Sequence, residues 1–184
     1  MTEIALHILD IANNSTRAEA SDVDVAIDAD SAKDTLTVTV ADDGKGMSEE
    51  LLSRVTDPFS TTRTTRRVGL GIPLFKQAAE LTGGSLKIRS GIGKGTTVTA
   101  VFGLSHIDRV PLGDVGATMA TLIGGAPGTD FTLSFSSDGK SYRFSTKEVK
   151  EMLDGVPIES MEVLSYIKEM IDENIENIIG GQPI

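Results

Sequence analysis

The sequence predicts an α+β fold: a two-layer sandwich with a mixed, mostly antiparallel sheet, followed by a small α+β extension. Three observations point there. Alternating apolar residues mark strands that follow one another directly, which favours antiparallel or mixed pairing over a βαβ repeat. Stripes at helical spacing flank those strand pairs and place helices on one face. Near residue 105 the character of the chain changes, dividing it into residues 1–105 and an accessory region 106–184.

Residues 3–19 read as a mostly buried helix, because Ile4, Ile8, Ile11 and Ala12 recur at helical spacing. Val23, Val25 and Ile27 alternate over 22–28, and Leu36, Val38 and Val40 alternate over 35–41, each set on one strand face. Ser48 opens a short helix with Glu49 and Glu50 in its first turn. A polar, basic stretch runs from Ser60 to Val68. A helix follows at about 72–82, with Pro73 in its first turn and Gly83–Gly84 as its stop. Strands over 85–90 and 96–104 are joined by a Gly-rich turn. The accessory region reads as a helix at about 114–123, a hairpin turning at Asp138–Gly139, and helices at about 146–153 and 159–179. Ser145 and Glu148 are placed to form a capping box, and Ile175, Ile178 and Ile179 form a core or interface stripe.

Composition removes several function classes. Asp and Glu number 27 against 17 Lys and Arg, for a net charge of −10 over 184 residues. That balance argues against nucleic acid or an anionic membrane as partner, since little offsets phosphate repulsion. With no cysteine there are no disulfides, thiol catalysis or thiolate metal sites. No apolar run reaches the roughly 20 residues of a membrane span, and the N-terminus lacks a signal-peptide pattern. A cytoplasmic protein is the expectation.

Four features carry chemistry. His7, Asp10, Asn14 and Arg17 are spaced three, four and three apart, which puts them on one helix face. Such a stripe is either a solvated face or a set of groups for a nucleophile, a divalent cation and a phosphate: a carboxylate can orient or deprotonate, and an amide oxygen suits Mg²⁺. In Asp42-Asp43-Gly44-Lys45-Gly46, Asp42 is in phase with Leu36, Val38 and Val40 and faces inward. A carboxylate there needs a partner, for which the exocyclic amine of adenine is suitable; an ordinary Asp-Gly turn is the alternative. Arg63, Arg66 and Arg67 precede Gly69-Leu70-Gly71 at a helix start, which is an anion site or a basic loop beside an acidic face. Thr96 is in phase with Val98, Ala100 and Phe102, so its hydroxyl turns to the apolar face, either to support Asp42 or as a β-favoured residue.

Taken in order, these features resemble the GHKL (Bergerat-fold) ATPase superfamily over about residues 1–105. Leu9 to Arg17 resembles its N box, in which an acid or amide precedes a Mg²⁺-binding Asn by four and, in histidine kinases, a Lys or Arg follows by three. Asp10, Asn14 and Arg17 fit those positions, whereas Asn13 would put Leu9 in the acid's place. Asp42–Gly46 resembles the first glycine box, Asp57 to Arg63 the F box, Gly69-Leu70-Gly71 the second glycine box, and Gly95-Thr96-Thr97 the closing strand motif. The resemblance implies that ATP and Mg²⁺ are the cofactors. It implies that Asp42 binds adenine with Thr96 in support, near Gly44 and Gly46, and that Asn14 ligates the metal. Arg17, Arg63 and the backbone around Gly69 and Gly71 would hold the phosphates. Phe59 belongs to the F box, and the segment from roughly 60 to 70, with Thr61, Thr62 and Leu70, would be the lid that orders over nucleotide. Asp10 sits where relatives that hydrolyse ATP carry a Glu base, one methylene longer.

The departures bear on use. Sensor kinases carry a helical hairpin with a phosphorylated His before the N box, and here the chain starts at that box. His7 lies inside the helix and reads as a structural or supporting residue; His106 lacks the flanking pattern of a phospho-acceptor. The accessory region is too short and differently patterned for the larger second domain of the gyrase, mismatch-repair and chaperone branches. The superfamily also has standalone members, notably the anti-sigma serine kinases. The whole chain is also similar to a small group of standalone bacterial ATP-binding proteins often encoded near iron hydrogenase or NADH-oxidising subunits. The expected function is transfer of the ATP γ-phosphate to a protein partner. The alternatives are a nucleotide-gated interaction module and a dimerising ATPase with slow hydrolysis.

Overall fold

The computed structural model describes residues 2–55, 71–181 and 184. The elements run α1 (Ile4–Arg17), β1 (Asp22–Asp30), β2 (Thr35–Asp42), α2 (Glu49–Val55), α3 (Gly71–Glu80), β3 (Ser85–Ser90) and β4 (Thr96–Gly103). After these come α4 (Val115–Gly125), β5 (Asp130–Ser137), β6 (Lys140–Ser145), α5 (Thr146–Met152) and α6 (Met161–Ile179).

The strands form one six-stranded sheet in the order β3-β4-β2-β1-β5-β6. Every pairing is antiparallel except β1 with β5, which is parallel with Val23 opposite Phe131 and Ile27 opposite Phe135. Period-two alternation settles which side is buried. Val23, Val25 and Ile27, Leu36, Val38 and Val40, Val98, Ala100 and Phe102, and Phe131, Leu133 and Phe135 all turn to one face and are almost wholly buried. The other face carries hydroxyls and carboxylates, for example a Thr39–Thr99 bond across β2 and β4 and a Ser136–Asp28 bond across β5 and β1.

Among the described residues, helices cover the apolar face. Helix α1 lies there with Ile4, Ile8, Ile11 and Ala12 buried, packed between α3 and α4, and α6 packs on α4. The region 106–184 extends the sheet by β5 and β6, and one hydrophobic cluster includes Ile4, Phe75 and Phe102 together with Phe131 and Ile171. A strap from the accessory region ties down the start of α1: the N–H groups of Ile4 and Ala5, which have no partner within the helix, donate to the carbonyls of Pro111 and Leu112 at 2.9 and 2.8 Å.

One local expectation is corrected. Ser145 is the N-cap of α5 but its side chain makes no capping bond, and Glu148 instead accepts from Arg143 at 2.7 Å. An ion pair to an adjacent strand has displaced the reciprocal cap. The Thr96 hydroxyl bonds that of Ser90 at 2.9 Å, with Thr96 directly across from Asp42 in the β2–β4 pairing. Among the described residues, no helix is long and apolar enough to cross a membrane.

Candidate nucleotide site

The site gathers where the C-terminal end of β2, the start of β4 and the second half of α1 converge. Asp42 is the last residue of β2, in phase with the buried Leu36, Val38 and Val40, so its side chain points to the helix-covered face. There it meets Ser15 on α1, whose hydroxyl donates to Asp42 Oδ2 at 2.6 Å. The other oxygen, Oδ1, accepts the backbone N–H of Gly44 at 2.9 Å and of Thr96 at 3.1 Å. A carboxylate offers about four acceptor directions, and these three donors leave one open, on Oδ2. Asp42 is thus held rigidly with a single acceptor direction left over.

The turn after β2 is shaped for close backbone contact. Gly46 has a φ of +67°, and a Cβ there would land on the carbonyl of Gly91 in the β3–β4 turn. Only glycine fits without moving that turn. Lys45 N–H donates to the Ala18 carbonyl at 2.9 Å, which fastens the turn to the end of α1. Asp43 points the other way: its Oδ1 accepts from Ser21 and Asp22 N–H at 2.7 and 3.0 Å. Backbone hydrogen bonds, led by that at Asp22, hold its carboxyl below the ordinary value. Ser90 knits the far side, accepting from Met47 N–H at 2.8 Å and donating to the Gly95 carbonyl at 2.9 Å.

Along α1, Asn14 and Asp10 precede Ser15. Arg17 Nη1 lies 3.5 Å from Asn14 Oδ1, a long contact between exposed groups. Asp10 is half-buried and abuts the first turn of α3: a Cβ on Gly71 would fall on Asp10 Oδ2. His7, one turn earlier, is 2% exposed and stacks on Phe75 of α3 with ring centroids 4.9 Å apart. Its Nδ1 has no hydrogen-bond partner, and burial lowers its pKa to about 4. It packs α1 against α3 as a neutral aromatic ring. His106 sits in a turn where its Nδ1 accepts the Asp108 N–H at 3.2 Å.

The structure therefore brings Asp42, Gly44, Gly46 and Thr96 into one cluster with α1, and sets Asp10 against Gly71 with Asn14 one turn and Arg17 two turns beyond. Phe59, Thr61, Thr62, Arg63, Gly69 and Leu70 lie outside the described residues. Two residues of the cluster, Ser15 and Ser90, were given no role of their own from the sequence, although Ser15 lies within the Leu9 to Arg17 motif. Ser15 follows Asn14 and falls on the buried side of α1, four residues after Ile11, which was the available signal. A separate cleft of about 830 Å³ runs between Met47–Glu50 and the β3–β4 turn, and its walls include none of Asp10, Asn14 or Asp42. Among the described residues no group of three or more His, Cys, Asp or Glu is arranged to hold a metal.

The comparisons with known proteins agree with this architecture. A family model described as histidine kinase-, DNA gyrase B- and HSP90-like ATPase matches residues 2–106. A putative sensor protein of Shewanella frigidimarina is 33% identical over 85 residues, covering 46% of this chain and 13% of that protein. Histidine protein kinase DivJ of Caulobacter vibrioides is 32% identical over 96 residues, covering 50% of this chain and 16% of that protein. The chain thus spans less than a fifth of the length of these curated relatives. Among solved structures, the N-terminal domain of a DNA repair protein superposes with a TM-score of 0.51 at 13% identity, over 78% of this chain and 52% of that one, a likeness of fold. With more than half of its length matched and the sheet, helix layer and glycine turn in place, the chain belongs to the ATP-binding family of histidine kinase-, DNA gyrase B- and HSP90-like ATPases.

Proposed function

We propose that this chain binds ATP with Mg²⁺ and passes the γ-phosphoryl group to a side chain of a partner protein. The observation that carries the reading is the Asp42 carboxylate, fixed by Ser15, Gly44 and Thr96 with one acceptor direction open. That direction suits the exocyclic amine of adenine, and Gly44 and Gly46 leave room for a ring to approach the backbone. Asn14 offers an amide oxygen to Mg²⁺, which when bound neutralises charge on the phosphates. Arg17 and Arg63, with the backbone near Gly69, Leu70 and Gly71, hold the phosphate chain; Phe59, Thr61 and Thr62 are F-box residues beside the nucleotide, the latter two in the segment that would close over it. The acceptor oxygen or nitrogen attacks the γ-phosphorus, the bond to the β–γ bridging oxygen breaks, and ADP leaves with that electron pair. Asp10, braced against Gly71, receives the acceptor's proton. Support for phosphotransfer over hydrolysis comes from the curated relatives, which include a histidine protein kinase. A cytoplasmic location fits such a substrate.

The test uses γ-labelled ATP with the intact chain and the proteins that copurify with it. Label should move to one of them, and Asp42→Asn should abolish both labelling and nucleotide uptake. ATP turnover with no labelled protein rejects phosphotransfer and keeps ATP binding; no Mg·ATP uptake by calorimetry rejects the reading as a whole.

One observation favours a second reading, a nucleotide-gated interaction module. The strap at Pro111–Leu112 bonds the start of α1, and Thr118 of α4 donates to the Ala5 carbonyl at 3.4 Å, so the accessory region grips the helix that carries Asn14. This reading requires partner affinity to differ among ATP, ADP and no nucleotide; equal affinities remove it.

A further inference from the structure

The accessory region leaves a cluster of large apolar side chains in solvent. Met152, Val156, Met161 and Tyr166 are 75, 51, 86 and 66% exposed, all within residues 152–166. They lie at the end of α5, in the turn after it and on the first turns of α6. Helix α6 is strictly two-sided. Ile167, Ile171 and Ile175 are buried against the sheet and α4. Glu162, Tyr166, Glu169 and Glu173 recur at i, i+4, i+7 and i+11, so they form one stripe on the opposite side, and all four are exposed.

The charges on this face are unbalanced from within. Lys168, the cation of α6, is occupied by Asp114 at 3.1 Å and Asp172 at 2.5 Å. On α5, Lys150 is held by Asp130 at 2.8 Å and Lys147 by Asp22 at 2.5 Å. Glu162, Glu169 and Glu173 have no ion-pair partner among the described residues. An ordinary solvated helix face accounts for carboxylates, but not for an exposed tyrosine between them and methionine at the helix start. Aromatic and methionine side chains are enriched in binding surfaces, where charged residues are depleted from the centre and kept at the rim.

We propose that the outer face of α6, with the α5–α6 turn, docks a basic amphipathic segment of a partner protein. Apolar side chains of that segment cover Met161 and Tyr166, while its lysines or arginines meet Glu162, Glu169 and Glu173. Charge selects this occupant. A second copy of a chain of net charge −10 would set carboxylate against carboxylate across a two-fold interface, and an anionic lipid surface would be repelled. The inference does not depend on phosphotransfer, because the surface can be probed without nucleotide.

The probe is a fluorescein-labelled synthetic helix of lysine and leucine, titrated into the full chain and read by anisotropy at several salt concentrations. Wild type should bind it saturably, with affinity falling as salt rises. Tyr166→Ser should weaken binding about tenfold, and Glu162→Lys with Glu169→Lys should weaken it and flatten the salt dependence. Ile92→Ser removes an apolar residue, 76% exposed, in the β3–β4 turn and should change nothing. All replaced side chains are exposed, and circular dichroism checks that each variant is folded. Equal affinity for wild type and Tyr166→Ser overturns the proposal, as does binding that is lost in Ile92→Ser. A wild-type dimer in sedimentation that dissociates in Tyr166→Ser also overturns it, by giving the face to a second copy.

Discussion

Replacing Ser15 with alanine isolates the contact that orients Asp42. The hydroxyl donates to Oδ2 at 2.6 Å and is the only side chain among the three donors, so Ser15→Ala leaves the Gly44 and Thr96 bonds to Oδ1 in place. A hydrogen bond to a charged acceptor contributes about 1.5–3 kcal/mol net. Some of that loss falls on folding, because Ser15 is 3% exposed and the bond joins α1 to β2. The remainder falls on the ligand, since a carboxylate anchored through Oδ1 alone holds Oδ2 less firmly and presents its open acceptor direction less often. A share of about 1.4 kcal/mol corresponds to a tenfold rise in the Kd for ADP. Calorimetric titration with ADP and with inosine diphosphate, which has no exocyclic amine, separates the two effects. Wild type should prefer ADP, and the variant should lose most of that preference while inosine diphosphate binding barely changes. Thermal denaturation without nucleotide reports the folding share. Unchanged ADP affinity and unchanged preference in Ser15→Ala would show that the two backbone donors alone hold Asp42, and the reasoning would be refuted.

Two further substitutions test the contact between α1 and α3. His7 has a folded-state pKa of about 4 against 6.5 for the free side chain, so the unfolded chain takes up the proton first as pH falls. Stability is therefore lost between about pH 6.5 and 4 and falls no further from this residue below that window, by at most about 3 kcal/mol less what solvent at the ring edge screens. His7→Phe keeps a ring against Phe75 and removes the titration, so its urea midpoint should be flatter over that range; parallel pH profiles would count against the assignment. Gly71→Ala puts a Cβ on the Asp10 carboxylate, so that side chain must swing away. We expect a loss of about 1–3 kcal/mol in stability and a fall in phosphoryl transfer larger than the fall in ADP affinity, measured by single-turnover labelling and calorimetry; equal falls would remove Asp10 from the reaction.

Much of this was legible before folding. Strand phase alone turns Asp42 inward, because two-residue alternation starting from Leu36 leaves no other face for it. Helical spacing puts Asp10, Asn14 and Arg17 on one side of α1, and the glycines after Asp42 announce a tight turn. The hairpin at Asp138–Gly139 also forms, with both residues at positive φ. These features are local: each depends on the periodicity of a single element or on which residues tolerate a left-handed backbone.

Where the chain meets itself at long range, neighbouring residues carry no such information. Nothing in the alternation of residues 130–137 selects a parallel place beside β1, and the capping pattern at Ser145 yielded to an ion pair with Arg143. Local residue order sufficed to say which side chains face the core and which glycines bend the backbone. Tertiary packing alone decided that Ser15 and the Thr96 N–H, 27 and 54 residues away in the chain, close on Asp42, and that Gly71 stops against Asp10. The reason is that strand and helix patterns arise within a few residues, whereas hydrogen-bond partners between elements are chosen by which arrangement buries the apolar faces and still satisfies the polar groups caught between them.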